Sequence, residues 1–286
     1  MDHRIVPAGR PGWQLCALGK ALALAGMLAL LFQSAAQAQT ARLSVRNNCG
    51  FPVWMASLNN AGQPPLADGI VRLARNDVHN YAIPDGGWAG RLWPKTGCNA
   101  NGRNCVAGDA VPPCPPTGCQ PPADSKVEFN FARLSSSDSS WYDITLVDGY
   151  SLPFRIAPRG ASSGSCVATS CALSVAACPQ NEIQGLGNLR VVKNGTVVQC
   201  LSPCKRWNWP PPIGLGKSEQ QGLGQAVCCP TPPVSSGECR AGIVVQTYYV
   251  KNVRAACPTA YSFAYDDEAG LHTCPADAAF DVTLCP

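Results

Sequence analysis

An all-β protein stapled by disulfide bridges is the fold class this sequence predicts, on three observations. Separated stretches alternate apolar and polar residues with a period of two, as half-buried antiparallel strands of a sandwich or barrel do. The 286 residues hold 27 Gly and 26 Pro, residue types that end strands and build turns. They also hold 17 Cys. One of these, Cys16, lies in an N-terminal export signature, which leaves an even set of sixteen in a chain bound for an oxidising compartment.

The elements follow in chain order. Residues 1–38 have the form of a secretory signal peptide. Arg4, Arg10 and Lys20 precede or flank the apolar run ALALAGMLALLF (21–32), and a small-residue end places cleavage after Ala38. The run is short for a membrane span, and no later stretch approaches roughly 20 apolar residues. The mature chain is therefore expected to be exported and soluble. ARLSVRN (41–47) sets Leu43 and Val45 against Arg42, Ser44 and Arg46. Residues 98–124 place four cysteines among Gly and Pro, with no room for a core, and are expected to form a small disulfide-held lobe. KVEFNFARL (126–134) turns Val127, Phe129 and Phe131 one way and Glu128 and Asn130 the other. YDITLV (142–147) opposes Tyr142, Ile144 and Leu146 to Asp143 and Thr145.

Residues 171–257 are dense in cysteine and carry Gly/Pro-rich pieces such as WNWPPPIGLGKSEQQGLG (207–224). They are expected to form a bridge-stabilised second lobe with one short helix. AFDVTLC (279–285) alternates again. The β core is thus expected to be discontinuous, drawn from 39–97, 125–170 and 258–286.

Composition excludes several functions. Without Arg4, Arg10, Lys20 and Asp2, the 22 basic and 18 acidic residues become 19 and 17, a formal charge of +2 with no basic block. Nucleic acid is an unsuitable partner for such a chain. His79 and His272 are the only histidines after the leader. Neither stands in a metal-ligand or nucleophile-elbow setting, so no metal and no Ser/His/Asp triad is expected. No glycine-rich phosphate loop follows a strand, and no cofactor is implied. The default oligomeric state is a monomer.

RNNCGFPVW (46–54), GWAGRLWPKTGC (87–98), VEFNF (127–131), WYDITLVDGYSLPF (141–154), CPTAYSFAYDD (257–267) and DVTLCP (281–286) together resemble, in order, successive landmarks of the thaumatin-like protein family. With the sixteen cysteines, the resemblance covers essentially the whole mature chain. It implies a flattened antiparallel β-sandwich, a disulfide-rich second lobe, a small third lobe and eight bridges. Those bridges are Cys49–Cys285, Cys98–Cys105, Cys114–Cys119, Cys166–Cys274, Cys171–Cys257, Cys178–Cys200, Cys204–Cys228 and Cys229–Cys239. It also implies an acidic cleft lined by Arg91, Glu128, Asp143, Asp148 and Asp266, the first aspartate of YDD.

The chain departs from the family's pattern in VAGDAVPPCPPTGC (106–119). There Ala107 stands for a threonine, Ala110 for a cysteine, and proline replaces glycine. The second lobe also looks expanded between Cys204 and Cys228, which leaves the width of the cleft open.

Alternation supports the cleft independently. Glu128 and Asp143 both lie on the polar faces of their strands and, in a shared sheet, would point the same way. Asp148 has the wrong parity for that face, but Asp148-Gly149 is a turn signal at which the chain can bend. Clustered carboxylates repel, which lets a protonated acid stand beside an ionised partner. Glycoside hydrolysis uses such a pair, with a separation of about 5–5.5 Å for retention and roughly 6.5–9.5 Å for inversion.

The expected function, as the resemblance implies, is that of a secreted protein that binds β-1,3-glucan, with an antifungal or defence role. In a bacterium its destination would be periplasm or medium. Two alternatives stand beside it. One is a weak endo-β-1,3-glucanase with Glu128 as acid, Asp143 or Asp148 as base or nucleophile, and Arg91 as orienting group. The other is a protein-binding hydrolase inhibitor. Trp207 and Trp209 are candidate sugar-stacking aromatics, with packing inside the lobe as the plain reading. Asn194-Gly-Thr is a glycosylation sequon for a host able to use it.

Overall fold

A computed structural model describes residues 41–110, 121, 123–160 and 164–286. The expected leader at 1–38 and the expected Cys114–Cys119 bridge fall outside the described residues. The strands expected from alternation form β1 (Leu43–Asn47), β6 (Lys126–Phe131), β7 (Ser139–Thr145) and β14 (Ala279–Leu284). Their apolar faces are buried as the alternation requires: Leu43, Val45, Val127, Ile144, Phe280 and Leu284 are all closed to solvent.

Two large sheets share one core. A six-stranded sheet runs in the order β13 (His272–Pro275), β7, β6, β5 (Trp88–Thr96), β2 (Val53–Asn59), β3 (Val71–Leu73). A five-stranded sheet runs β10 (Thr169–Cys171), β9 (Phe154–Arg159), β14, β1, β4 (Val78–Tyr81). Phe280 of the second sheet meets Phe129, Phe131 and Tyr142 of the first at ring-centroid distances of 5.4, 5.6 and 4.8 Å. A hairpin of β11 (Arg190–Lys193) and β12 (Thr196–Leu201), joined by β8 (Gly149–Tyr150), makes a third, small sheet.

Two expectations are corrected. The large sheets are not wholly antiparallel, because β1 and β14 pair in parallel. A period of two fixes which face a residue takes but says nothing about strand direction. Here Cys49 and Cys285 follow the C-terminal ends of the two strands and are bonded to each other, which brings those ends together.

The second correction concerns the cysteine-rich segment, which holds four short helices rather than one. They are α1 (Pro203–Asn208), α2 (Leu223–Cys228), α3 (Ser236–Ala241) and α4 (Tyr248–Ala256). Helices of six to nine residues are too short to show a clear 3.6-residue stripe and are marginal alone. Local caps and bridges hold them instead. Ser202 and Thr247 cap α1 and α4, Ser235 and Glu238 form a capping box on α3, and Cys204–Cys228 ties α1 to α2. A last helix, α5 (Asp267–Gly270), precedes β13.

Seven bridges are present among the described residues. They are Cys49–Cys285, Cys98–Cys105, Cys166–Cys274, Cys171–Cys257, Cys178–Cys200, Cys204–Cys228 and Cys229–Cys239. No described helix is long and apolar enough to cross a membrane.

Candidate functional site

The outward face of the six-stranded sheet carries a row of charged side chains. Strand register sets it: Leu58 of β2 faces Arg91 of β5, Arg91 faces Glu128 of β6, and Glu128 faces Asp143 of β7. Directly opposed side chains on neighbouring strands have Cβ atoms about 4.5–5.5 Å apart. Arg91 Nε lies 3.5 Å from Glu128 Oε1, and Arg91 Nη2 donates to Asn60 Oδ1 at 2.8 Å. Glu128 keeps 36% of its side chain exposed, whereas Asp143 is only 7% exposed.

Asp143 Oδ1 accepts no hydrogen bond from the described residues. Burial first, and then the neighbouring Glu128 charge, push the Asp143 carboxyl well above the usual range, while Arg91 pulls against them. The row therefore joins an accessible carboxylate to a buried acid that resists ionisation.

Asp148 and Asp266 are placed differently. The backbone turns at Asp148, as the Asp-Gly signal predicts. Gly149 has φ 147° and sits where a Cβ would lie 2.2 Å from the Cys200 carbonyl oxygen, so glycine is required for β8 to reach β12. The turn aims Asp148 at two cations. Lys126 of β6 donates to its Oδ2, and Lys205 of α1 lies 3.2 Å from its Oδ1. Burial alone would raise this carboxyl, but the two lysines hold it well below the usual range.

Asp266 is 5% exposed and faces Arg254 of α4, whose Nη2 donates to Oδ1 at 2.6 Å; Ser262 donates to Oδ2. Asp148 thus links β6 to α1 by ion pairs, and Asp266, just before α5, is paired to α4. Of the five residues the sequence singled out, the structure gathers Arg91, Glu128 and Asp143 in one row. Asp148 and Asp266 are each ion-paired to other cations, and Asp148 lines a small cavity with Lys205, Ser262 and Phe263.

Sequence reasoning missed several neighbours. Asp267, rather than Asp266, is the exposed member of the Asp-Asp pair. It accepts from Tyr261 Oη at 2.9 Å and from Arg240 Nη2 at 2.8 Å. Burial, then the hydrogen bond to Asp267 and the charges of Asp267, Asp143 and Glu128, raise the Tyr261 phenol. Tyr261 therefore shares the electrostatic field of the row. A dipeptide of two aspartates offered no signal for choosing between them.

The stacking candidates are corrected as well. Trp209 is 8% exposed, and Trp207 donates to the Ser218 carbonyl under the Lys217 ammonium, 4.5 Å from its ring. Both serve the packing of the helical segment. Among the described residues the tryptophan that does stand open is Trp141, 42% exposed, two residues from Asp143 and on the same face of β7.

Cys204, Glu219 and Cys228 cluster closely, but the two sulfurs are bonded to each other and offer no thiolates. The histidines have other engagements: His79 faces Asp68 at 3.4 Å and His272 the Thr259 carbonyl at 3.1 Å.

A two-sheet protein with a disulfide-stapled helical segment and an Arg–Glu–Asp row on one sheet face is thereby defined. A sequence model of the thaumatin family matches residues 47–286. The chain belongs to that family. It is 33% identical over 275 residues to a glucan endo-1,3-beta-glucosidase of Prunus avium, covering 93% of this chain and 99% of that one. It is also 33% identical over 249 residues to pathogenesis-related protein 5 of Arabidopsis thaliana, covering 85% and 89%. The solved thaumatin-like xylanase inhibitor TLXI aligns with 86% of this chain and 100% of its own at 14% identity. The TM-score of 0.38 is too loose for residue correspondence.

Proposed function

We propose that this protein binds a neutral polysaccharide of the β-1,3-glucan type on the outward face of its six-stranded sheet, and that it does so outside the cell in a defence role. One observation carries the reading: Arg91, Glu128 and Asp143 occupy directly opposed positions on three adjacent strands. A carboxylate and a guanidinium side by side offer acceptors and donors in fixed directions, which suits the hydroxyls of a sugar. The names of the cherry and Arabidopsis relatives, a glucanase and a pathogenesis-related protein, support the substrate class and the role. Export is supported by the bridges and the leader-like N-terminus. The pairing of the two large sheets is read as the family's flattened sandwich, whose helical segment walls the groove.

Binding is preferred over cleavage because the acids are unequally available. Asp148 and Asp266 are engaged by cations, and Asp143 is nearly closed to solvent, so Glu128 is the carboxylate a sugar would meet. One observation does favour hydrolysis as a second reading: the buried Asp143 carboxyl stands directly opposite the accessible Glu128 carboxyl, and burial raises Asp143 first. A pair of carboxyl groups in unequal environments is the arrangement glycosidases use. Pure protein titrated with laminarin separates the two. The reading predicts binding that weakens in Glu128→Gln, with no release of reducing ends. Release that disappears in Asp143→Asn would establish hydrolysis, and absence of binding would overturn both.

A further inference from the structure

We infer that Trp141 is the sugar-stacking platform of this face and that the glycan runs from the Glu128–Asp143 pair along β7 into a hydroxyl-lined cavity at the strand's start. The inference rests on the β-glucan reading above and goes on to name the direction of the chain and its specificity-determining aromatic residue.

Register places the parts. Trp141 lies one outward position before Asp143, opposite Asn130 of β6 and Thr273 of β13. Its lateral neighbours are short. Asn130 is followed across the sheet by Ala89 of β5, so no bulky side chain of that row overhangs the indole. No hydrogen bond or ring contact among the described residues engages the Trp141 side chain, and 42% of the residue is exposed. Exposed apolar side chains are ordinary when single, and Phe51 and Tyr248 are as open as Trp141; what sets Trp141 apart is its place on the same face of β7 as Asp143, where an indole offers an apolar face and a polar N–H together.

The next outward residue along β7 is Ser139. Together with Thr273 it lines a cavity of about 790 Å³ whose wall also includes Asp138, Ser165 and Asp277. Asp143, Trp141 and Ser139 thus lie along a single line. At about 3.3 Å per residue the line spans about 13 Å, long enough for several pyranose rings. Along it come a carboxylate pair, an aromatic face and a concave surface of mixed character, where hydroxyls and carboxylates stand among Leu134, Pro275 and Ala276. A neutral polysaccharide matches that sequence, because pyranoses present apolar C–H faces to aromatic rings and hydroxyls at their edges.

Calorimetric titration with laminarin and with β-1,3-linked di- and hexasaccharides tests this, using wild type, Trp141→Ala, Trp141→Phe and Glu128→Gln. The expected result is a gain in affinity with ligand length in the wild type. Trp141→Ala should lose about tenfold for the hexasaccharide, Trp141→Phe should retain most of the affinity, and the melting temperature of each should stay near that of the wild type. If Glu128→Gln weakens binding while Trp141→Ala binds as wild type, the stacking role fails and the β-glucan reading stands. Equal losses in the Ala and Phe variants would also overturn stacking. A wild type that binds none of these ligands overturns both.

Discussion

Asp148 shows how a single residue can match a family's site pattern and still be occupied otherwise. Its carboxylate meets Lys126, only 2% exposed, and Lys205 of α1. Removing one member of a buried pair leaves an uncompensated charge, which costs about 3–5 kcal/mol. Asp148 is 24% exposed, so Asp148→Asn is expected near the lower end, about 3 kcal/mol in urea unfolding. Its depressed carboxyl stabilises the fold above the unfolded value of about 3.9 and loses that contribution as pH falls further.

Asp143 has the opposite sign. Its folded carboxyl is raised, so the native state binds the proton more tightly than the unfolded chain, and stability falls as pH rises from about 4 through the folded value. Buried Asp124, pushed up to about 6 mainly by burial, acts in the same direction. Asp143→Asn should therefore raise stability at pH 7 and leave a shallower decline between pH 4 and 7. A variant no more stable than wild type at pH 7 would show that Asp143 ionises freely.

Strands were legible in the sequence and their neighbours were not. Val127, Phe129 and Phe131 alternate with Glu128 and Asn130, which fixed the face of Glu128. Nothing local announced that β7 would lie beside β6, or that Asp143 would stand opposite Glu128. Arg91 sits in WAGRLWPKT, where small residues blur alternation, so only its motif pointed to it. The short helices escaped because caps and bridges, not amphipathic length, hold them. Asp266 and Asp267 could be told apart only by the fold, which turned one to Arg254 and the other outward. Trp141 was in plain view beside Tyr142, yet its exposure depends on Ala89 and Asn130 across the sheet. Phe280 is one residue through which the two large sheets meet, and it touches three aromatic rings. Phe280→Ala is expected to cost about 3–5 kcal/mol, measured by urea unfolding. A cost under about 1 kcal/mol would mean that the sheets do not depend on that cluster.

For the whole molecule, covalent ties compensate for an irregular second half. Cys49–Cys285 closes the chain on itself across 236 residues, and Cys166–Cys274 and Cys171–Cys257 span 108 and 86. Bridges over long loops restrict the unfolded chain most. They keep the six-stranded sheet and the helical segment in one compact unit from Ala41 to Pro286. The near-neutral formal charge of residues 39–286 gives no long-range field to attract a polyanion, so the proposed recognition rests on the short-range chemistry of one face. Amide chemical-shift mapping with a β-1,3-linked hexasaccharide tests that placement most directly. Shifts should cluster at residues 89–91, 128–130 and 139–143 on three adjacent strands. Shifts confined to the helical segment around 203–228, with those strands silent, would contradict it.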